Sequence, residues 1–177
     1  MVVTRHASRV TRHENKELLI LLDVQNQQDD RNINIQRAGV KKVHLPLQIL
    51  EQAGTYQTVT AEISICADLS KDFRGTHMSR FMEILQAWSR EKMSSREIKM
   101  ILEEVLNKLN ASRTEISVRF RYFIEKPAPK SQLKGFLDYF CEFRGFYDRD
   151  SFRFILGVEV PVTTVCPCSK EISQYGA

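Results

Sequence analysis

A pair of cysteines near the end of the sequence carries the strongest chemical signal in the chain. Cys166 and Cys168 are separated only by Pro167 and are followed by Lys170, where a predicted strand gives way to a predicted helix. A disulfide between them would close a strained loop, whereas a thiolate at a helix N-terminus beside a lysine is a stabilised metal ligand. Zinc needs about three or four protein ligands, and none of the histidines has a suitable spacing to these cysteines. The residues alone therefore leave two alternatives, a metal or nucleophile site and a structural turn.

A second candidate lies between the second predicted strand and the first predicted helix. Residues 75–81 read Gly-Thr-His-Met-Ser-Arg-Phe, and a glycine, a hydroxyl and basic side chains before a helix can hold a phosphate. The alternative is that Thr76 is an ordinary N-cap and His77 lies in the first helical turn. Four carboxylates that could serve as acid or base show no pairing at catalytic spacing: Glu62, Glu83, Glu104 and Glu159.

Two strands are expected to precede the second motif. Apolar residues alternate with polar ones over residues 43–49 and again over 59–69, with a turn around Gly54. This period of two predicts an antiparallel hairpin, with structure beginning near Val40. Pro46 cannot donate to a sheet ladder, so the first strand should lie at an edge or carry a bulge.

Two amphipathic helices are predicted next. Met78, Phe81, Leu85 and Trp88 recur at helical spacing, which places them on one face. Ser94 with Glu97 forms a capping-box pattern before the second helix, whose apolar face consists of Ile98, Ile101, Leu102, Val105 and Leu109. The short link between the helices favours an antiparallel pair.

Three further strands are predicted over residues 116–124, 134–147 and 152–162, and the proline-rich segment 126–130 is expected to be a rigid connector between the first two. The order strand, strand, helix, helix, strand, strand predicts an α+β fold in which one antiparallel sheet has two helices on one face. The last strand is surplus to that unit. Its apolar edge requires a partner, either from another subunit or from a continuation of the chain.

Composition and charge narrow the function classes only slightly. The net charge of +4 is spread along 177 residues, so it favours an anionic ligand weakly and does not indicate nucleic acid. Nucleic acid is therefore not expected as a partner. The sequence has neither an apolar run of about 20 residues nor a secretory signal, so no membrane partner is expected and the protein is expected to be cytoplasmic. Cys66 and Cys141 stand alone inside predicted strands, where a thiol usually acts as a small hydrophobe.

Three segments together resemble the type IB GTP cyclohydrolase I family. They are Ala-Gly-Val-Lys-Lys at residues 38–42, Gly-Thr-His-Met-Ser-Arg-Phe at 75–81, and the stretch from Gly157 through the Cys-Pro-Cys-Ser-Lys motif to Ser173. The resemblance begins around residue 23 and covers nearly all of the remaining chain. The second and third segments are long, which makes them far more specific than an isolated pair of cysteines.

The resemblance implies a tunnelling fold, or T-fold, in which pairs of strands flank two helices and several units assemble into barrels. Members of the family are bimodular and form homotetramers. Residues 1–36 would be an N-terminal arm, residues 37–150 the first T-fold module, and residues 151–177 the opening strand of a second module.

The resemblance also implies an enzyme that hydrolyses GTP to 7,8-dihydroneopterin triphosphate and formate, the first step of folate biosynthesis. A divalent metal (zinc, manganese or iron) would be bound by Cys166, the catalytic cysteine of the family motif, with the remaining ligands expected beyond Ala177. Substrate contacts would include His77, Arg80 and Lys170, the first of them across a subunit boundary. Two other functions remain open, a non-catalytic T-fold interaction module and a T-fold nitrile reductase.

Overall fold

The computed structural model describes residues 34–69, 71, 77–128, 130–148, 151–162, 164 and 167–172, so most of the predicted arm 1–36 lies outside the described residues. The elements follow the chain in this order: β1 (Ile35–Leu50), β2 (Tyr56–Leu69), α1 (Met78–Trp88), β3 (Lys92–Met93), α2 (Ser95–Leu109), β4 (Arg113–Pro127), β5 (Lys134–Asp148), β6 (Ser151–Glu159) and α3 (Pro167–Ile172). The predicted α+β class is confirmed, with α1 and α2 packed on one face of the sheet.

The six strands form one sheet in the order β3-β1-β2-β4-β5-β6. All neighbouring pairs are antiparallel except β1 and β3, which are parallel through Gln48 with Lys92 and Ile49 with Met93. The sequence analysis missed β3, because a two-residue strand has no period of its own and forms only where the link between the helices meets β1.

The first hairpin turns at Gly54, whose φ of 82° is easily reached only by glycine. The bulge expected from Pro46 is confirmed, since β1 carries two register shifts. The alternative of an edge strand is wrong, because β3 pairs with β1 at Gln48 and Ile49, although Pro46 itself pairs only with β2. At Gly39 a Cβ atom would lie 2.1 Å from the Ile65 carbonyl oxygen, so only glycine permits this approach of the two backbones. The strand begins at Ile35 rather than near Val40, because its first residues pair with β2 while their side chains stay exposed and show no alternation.

Both helices cover the sheet as their apolar spacing predicts, except that Met78, in the first turn of α1, is exposed. Phe81 and Ile84 of α1 are fully buried, as is Ile98 of α2, and burial of each such side chain stabilises the fold by about 1.5–3 kcal/mol. The predicted capping box at α2 is confirmed: the Ser94 hydroxyl accepts from the backbone N–H of Arg96, and the Glu97 carboxylate accepts from the backbone N–H of Ser94. The helix ends at Asn110 in the left-handed conformation, a common C-cap.

The second hairpin is longer than predicted. β4 and β5 pair over fifteen residues each, from Arg113 with Asp148 to Pro127 with Lys134. The expected connector at 126–130 is therefore partly wrong, since Lys126 and Pro127 belong to β4. Pro127 fits there because it ends the strand.

β6 pairs with β5 and is an edge strand among the described residues. Phe152 and Phe154 pack against the core, whereas Leu156 and Val158 are about half exposed. The strand ends at Glu159, three residues earlier than predicted, and Val160 and Val162 follow it as exposed residues outside any strand.

Candidate functional site

The N-terminus of α1 contains the His-Met-Ser-Arg part of the second motif. His77 is the N-cap, with φ −74° and ψ 103°, and its side chain makes no capping hydrogen bond. Its carbonyl oxygen accepts from the backbone N–H of Arg80 at 3.0 Å, which closes the first turn. The alternative with Thr76 as N-cap is therefore wrong, because His77 is still extended and the helix begins only at Met78. Gly75 and Thr76 lie outside the described residues.

Arg80 joins the start of α1 to the end of α2. Its Nη1 donates to the carbonyl oxygen of Lys108 at 3.2 Å, one of the carbonyls that have no partner within a helix at its C-terminus. A cation at that end also interacts favourably with the helix dipole. This contact gives the motif a role in helix packing. A guanidinium has five donors, and Arg80 stays a predicted substrate contact.

A second link between the helices lies at the other end of α1. Trp88 Nε1 donates to Glu104 Oε2 at 2.7 Å, and Lys108 Nζ lies 2.7 Å from Glu104 Oε1. Partial burial would raise the pKa of Glu104, but the hydrogen bonds from Lys108 and Trp88 outweigh it and the pKa is lowered. Glu104, one of the candidate acids, is thus a structural carboxylate held ionised between two helices.

The cysteine motif falls partly outside the described residues. Cys166 lies outside them, as does the side chain of Lys170, whose backbone is in α3. Cys168 is exposed and free in the first turn of α3. α3 follows the edge strand β6, whereas α1 packs over β1. In the strand order β1 and β6 are four strand spacings of about 4.8 Å apart. Within one chain, α1 and the strand that leads to the cysteine motif thus lie at different places across the sheet.

Within the described part of the chain, no three or more His, Cys, Asp or Glu side chains are arranged to hold a metal ion. One pair of possible ligand types does lie in contact, since Cys66 Sγ donates to Glu115 Oε1 at 3.3 Å. Burial raises the pKa of the Cys66 thiol to about 12, and the hydrogen bond to Glu115 adds to that effect. A thiol that stays protonated is a poor metal ligand, so the described residues do not fit a metal centre by themselves.

The sequence analysis missed a set of interactions on the open face, defined here as the side of the sheet away from α1 and α2. Charged side chains of β1, β2, β4 and β5 alternate there with the buried residues of the core. The ion pairs on this face join Arg37 to Glu115, Arg113 to Asp148, Arg119 to Glu62, Arg121 to Asp138 and Arg144 to Glu142. The arginines of β4 on this face all find their carboxylate partners on neighbouring strands.

Two adjoining cavities open on this face. The larger, of about 720 Å³, lies at the end of the sheet where Asp68, Arg113 and Asp148 meet. The smaller, of about 340 Å³, is lined by Lys41, Ser64 and other residues of β1, β2, β4 and β5. Arg37 and Phe146 line both, and the Arg153 guanidinium stacks over the Phe146 ring at 4.8 Å. The arrangement offers cations and an aromatic face to a ligand.

Comparisons with known proteins agree on one group of relatives. The family model described as Type I GTP cyclohydrolase folE2 matches residues 21–177. GTP cyclohydrolase FolE2 of Syntrophus aciditrophicus (strain SB) is 47% identical over 157 residues, covering 89% of this chain and 61% of the relative. The enzyme of the same name from Pseudothermotoga lettingae is 44% identical over 155 residues, covering 88% and 60%. That from Thermosipho africanus is 40% identical, covering 88% and 60%. The chain thus spans about three fifths of the length of these relatives.

Proposed function

Because the chain belongs to the type I GTP cyclohydrolase FolE2 family, we propose that the whole protein is a GTP cyclohydrolase. It is a hydrolase that converts GTP and water to 7,8-dihydroneopterin triphosphate and formate, the first step of folate biosynthesis. The observation that carries this proposal is the match over residues 21–177, which includes all three of the motifs that resemble the family. Because the chain spans three fifths of its relatives, the activity is proposed for the whole protein.

The finer assignment is to the bimodular type IB enzymes with the T-fold. Residues 37–150 are proposed to be the first module and residues 151–177 the opening strand of the second. Two observations support this division: β1, β2, α1, α2, β4 and β5 follow the ββααββ order, and β6 adds a strand at the edge beyond that unit.

The metal is proposed to be zinc, manganese or iron, with Cys166 as the one ligand that this chain contributes. Such an ion supplies a bound water of lowered pKa for hydrolysis. The exposure of Cys168 at the start of α3 supports the view that the motif is presented at the surface of this chain. A site that needs further ligands can be completed there by the rest of the protein.

His77, Arg80 and Lys170 are proposed to contact the substrate. A triphosphate attracts cations and helix N-termini, and both chemistries occur around residues 77–80. α1 packs over β1, and the cysteine motif follows β6 at the other end of the strand order, so the two motifs are proposed to meet across a subunit boundary. The role of Arg80 would then be double, because one of its donors already holds the end of α2.

A homotetramer is the proposed assembly, and the cytoplasm the proposed location. The exposed apolar residues of the edge strand, Leu156 and Val158, support an oligomer, because an uncovered apolar edge favours pairing with another chain. No helix of the described residues is long and apolar enough to span a bilayer.

The test uses the full natural polypeptide and measures formate release from GTP together with bound metal. Cys166→Ala should lose the metal and lower turnover at least about 100-fold, more than the loss typical of a residue behind the ligands. Cys168→Ala is the matched control and should retain both, because that side chain is exposed. Equal behaviour of the two variants would remove Cys166 from its assigned role.

The same preparation separates the other functions. NADPH-dependent reduction of a nitrile, without formate release, would replace the proposal with a nitrile reductase. Binding of GTP with no release of formate by the metal-loaded protein would identify a non-catalytic module. Either result would overturn the cyclohydrolase assignment.

A further inference from the structure

The first of the three family-like segments ends in two adjacent lysines that the proposed function does not use. Lys41 and Lys42 lie between Val40 and Val43, where the pairing of β1 with β2 shifts register. Lys42 takes a left-handed φ of 57°, and its backbone N–H donates to Ser64 Oγ at 3.2 Å. A bulge of this kind re-aims the side chains around it. As a result, Lys41 lines the smaller cavity of the open face and Lys42 does not.

The smaller cavity has the size of a small-molecule site. Its volume is about 340 Å³, within the range of roughly 300–1,000 Å³ that ligand pockets occupy. Apolar residues form part of its wall, and polar groups converge on it from four strands: Arg37, Lys41, Ser64, Cys66, Glu115, Ser117 and Arg144.

Most charges around this cavity are already neutralised by the protein. The Arg37 Nη2 atom lies 2.9 Å from Glu115 Oε2, and Arg144 Nε lies 3.0 Å from Glu142 Oε2. Lys41 forms no ion pair with any residue that the structure describes. Two paired arginines and one lysine without a carboxylate give the cavity an excess positive charge.

The positive charge of Lys41 affects the pKa of the Cys66 thiol in the cavity wall. Burial raises the pKa of this thiol and Glu115 raises it further, whereas the positive charges of Arg37 and Lys41 act in the opposite direction. The Lys41 ammonium is therefore close enough to influence a group in the wall of the cavity. The Lys41 side chain lines the cavity and is itself exposed to solvent.

We propose that the cavity bounded by Lys41, Ser64 and Ser117 binds an oxyanion, namely a phosphate group or a free phosphate ion. The ammonium of Lys41 supplies the charge-assisted donor, and the Arg37 and Arg144 guanidinium groups flank the anion while staying paired with their glutamates. The proposal does not rest on the cyclohydrolase activity, because it concerns binding by residues that are all described.

The test is calorimetric titration of the full natural polypeptide with inorganic phosphate at low ionic strength, where screening is weak. Lys41→Gln should weaken phosphate binding about ten-fold or more, the loss expected when one charge-assisted hydrogen bond is removed. Lys42→Gln, one residue away and outside the cavity, is the matched control and should bind like the unmodified protein. Both side chains are exposed, so both variants should keep the fold, and their melting temperatures check this.

Three results would overturn the proposal: no phosphate binding by the unmodified protein, unchanged binding by Lys41→Gln, or equal losses in the two variants. If Lys41→Gln alone loses binding, steady-state kinetics then identify the source of the anion. A raised KM for GTP in this variant assigns the phosphate to the substrate, whereas an unchanged KM assigns it to a free anion or another ligand. The binding result stands whether or not the protein turns over GTP.

Discussion

The face of the sheet beneath α1 and α2 and the open face alternate residue by residue along the same strands. In β2, Ala61, Ile63 and Ile65 are buried against the helices, while Glu62 and Ser64 between them face the other way and stay partly accessible. The first face consists almost wholly of apolar side chains, and the second carries ion pairs, cation–π contacts and two cavities. The covered face supplies the stability, which leaves the open face free to vary its chemistry at little cost to the fold.

The largest difference is expected from removing one aromatic ring from each side of the sheet: Phe81 of α1 on the covered side and Phe146 of β5 on the open face. Phe81 in α1 is fully buried, and Phe81→Ala should lower the free energy of unfolding by about 3–5 kcal/mol through lost burial and a cavity. Phe146 on the open face is only partly buried and stacks with Arg153, so Phe146→Ala should cost about 1 kcal/mol. Urea unfolding measures both, and similar losses would contradict the division of roles.

Adding one methyl group to each face is expected to have the next largest effect. A Cβ at Gly145 would lie 2.6 Å from Ile98 Cγ2 and 3.0 Å from Leu102 Cδ1, so Gly145→Ala should cost about 1–3 kcal/mol by overpacking. At Gly157 the nearest atoms belong to Glu142 at 3.7 Å, an ordinary contact, and Gly157→Ala should change stability by less than about 0.5 kcal/mol. Thermal unfolding of the two variants compares them directly, and a larger effect at Gly157 would reverse the comparison.

Asp68 gives the open face a pH dependence. Partial burial would raise its pKa, but the Ser112 hydroxyl and the backbone N–H groups of Ser112 and Arg113 donate to the carboxylate and lower the pKa below its ordinary 3.8. A lowered pKa in the folded state stabilises the protein above pH 3.8, and this contribution is lost as pH falls through the folded value.

Asp68→Asn should therefore lower stability at pH 7 by about 1 kcal/mol after allowance for solvent screening, and by less below pH 3.8. Unfolding free energies of both proteins between pH 2 and pH 7 test this. A difference that stays constant over that range would show that the carboxylate charge is not involved.

The smallest effect is expected from an exposed ion pair of the open face. Arg113 Nε lies 3.0 Å from Asp148 Oδ1, with both side chains more than half exposed, so Arg113→Gln should cost at most about 1 kcal/mol. The effect should shrink further at 1 M salt, where charges are screened within about 3 Å. Urea unfolding at low and high salt measures both quantities, and a loss comparable to that of Phe81→Ala would contradict the assignment.

The sequence predicted the covered face well, because burial imposes a period on the residues. The apolar spacing of α1 and α2, the capping box at Ser94 and both hairpins all come from local pattern and turn chemistry. The exposed start of β1 and the two-residue β3 could not be predicted, because each is formed by pairing with a distant segment rather than by its own sequence.

The candidate sites were predictable to different degrees. The family-like motifs identified the residues around His77 and Cys166, but the contact of Arg80 with the end of α2 depends on the packing of two helices. The cavity beside Lys41 is formed by the bulged strand β1 together with β2, β4 and β5, whose lining residues are up to about a hundred positions apart in the sequence. Lys41 and Lys42 are both lysines, and the backbone conformation at the bulge determines which of the two lines the cavity.

The hydrogen bond between Trp88 and Glu104 has a practical consequence. Trp88 is the single tryptophan of the sequence, and its indole N–H is 2.7 Å from a carboxylate on the neighbouring helix. The tryptophan emission of this chain therefore comes from one known place, the contact of α1 with α2. A red shift of that emission reports the separation of these two helices, even when the remainder of the sheet stays intact.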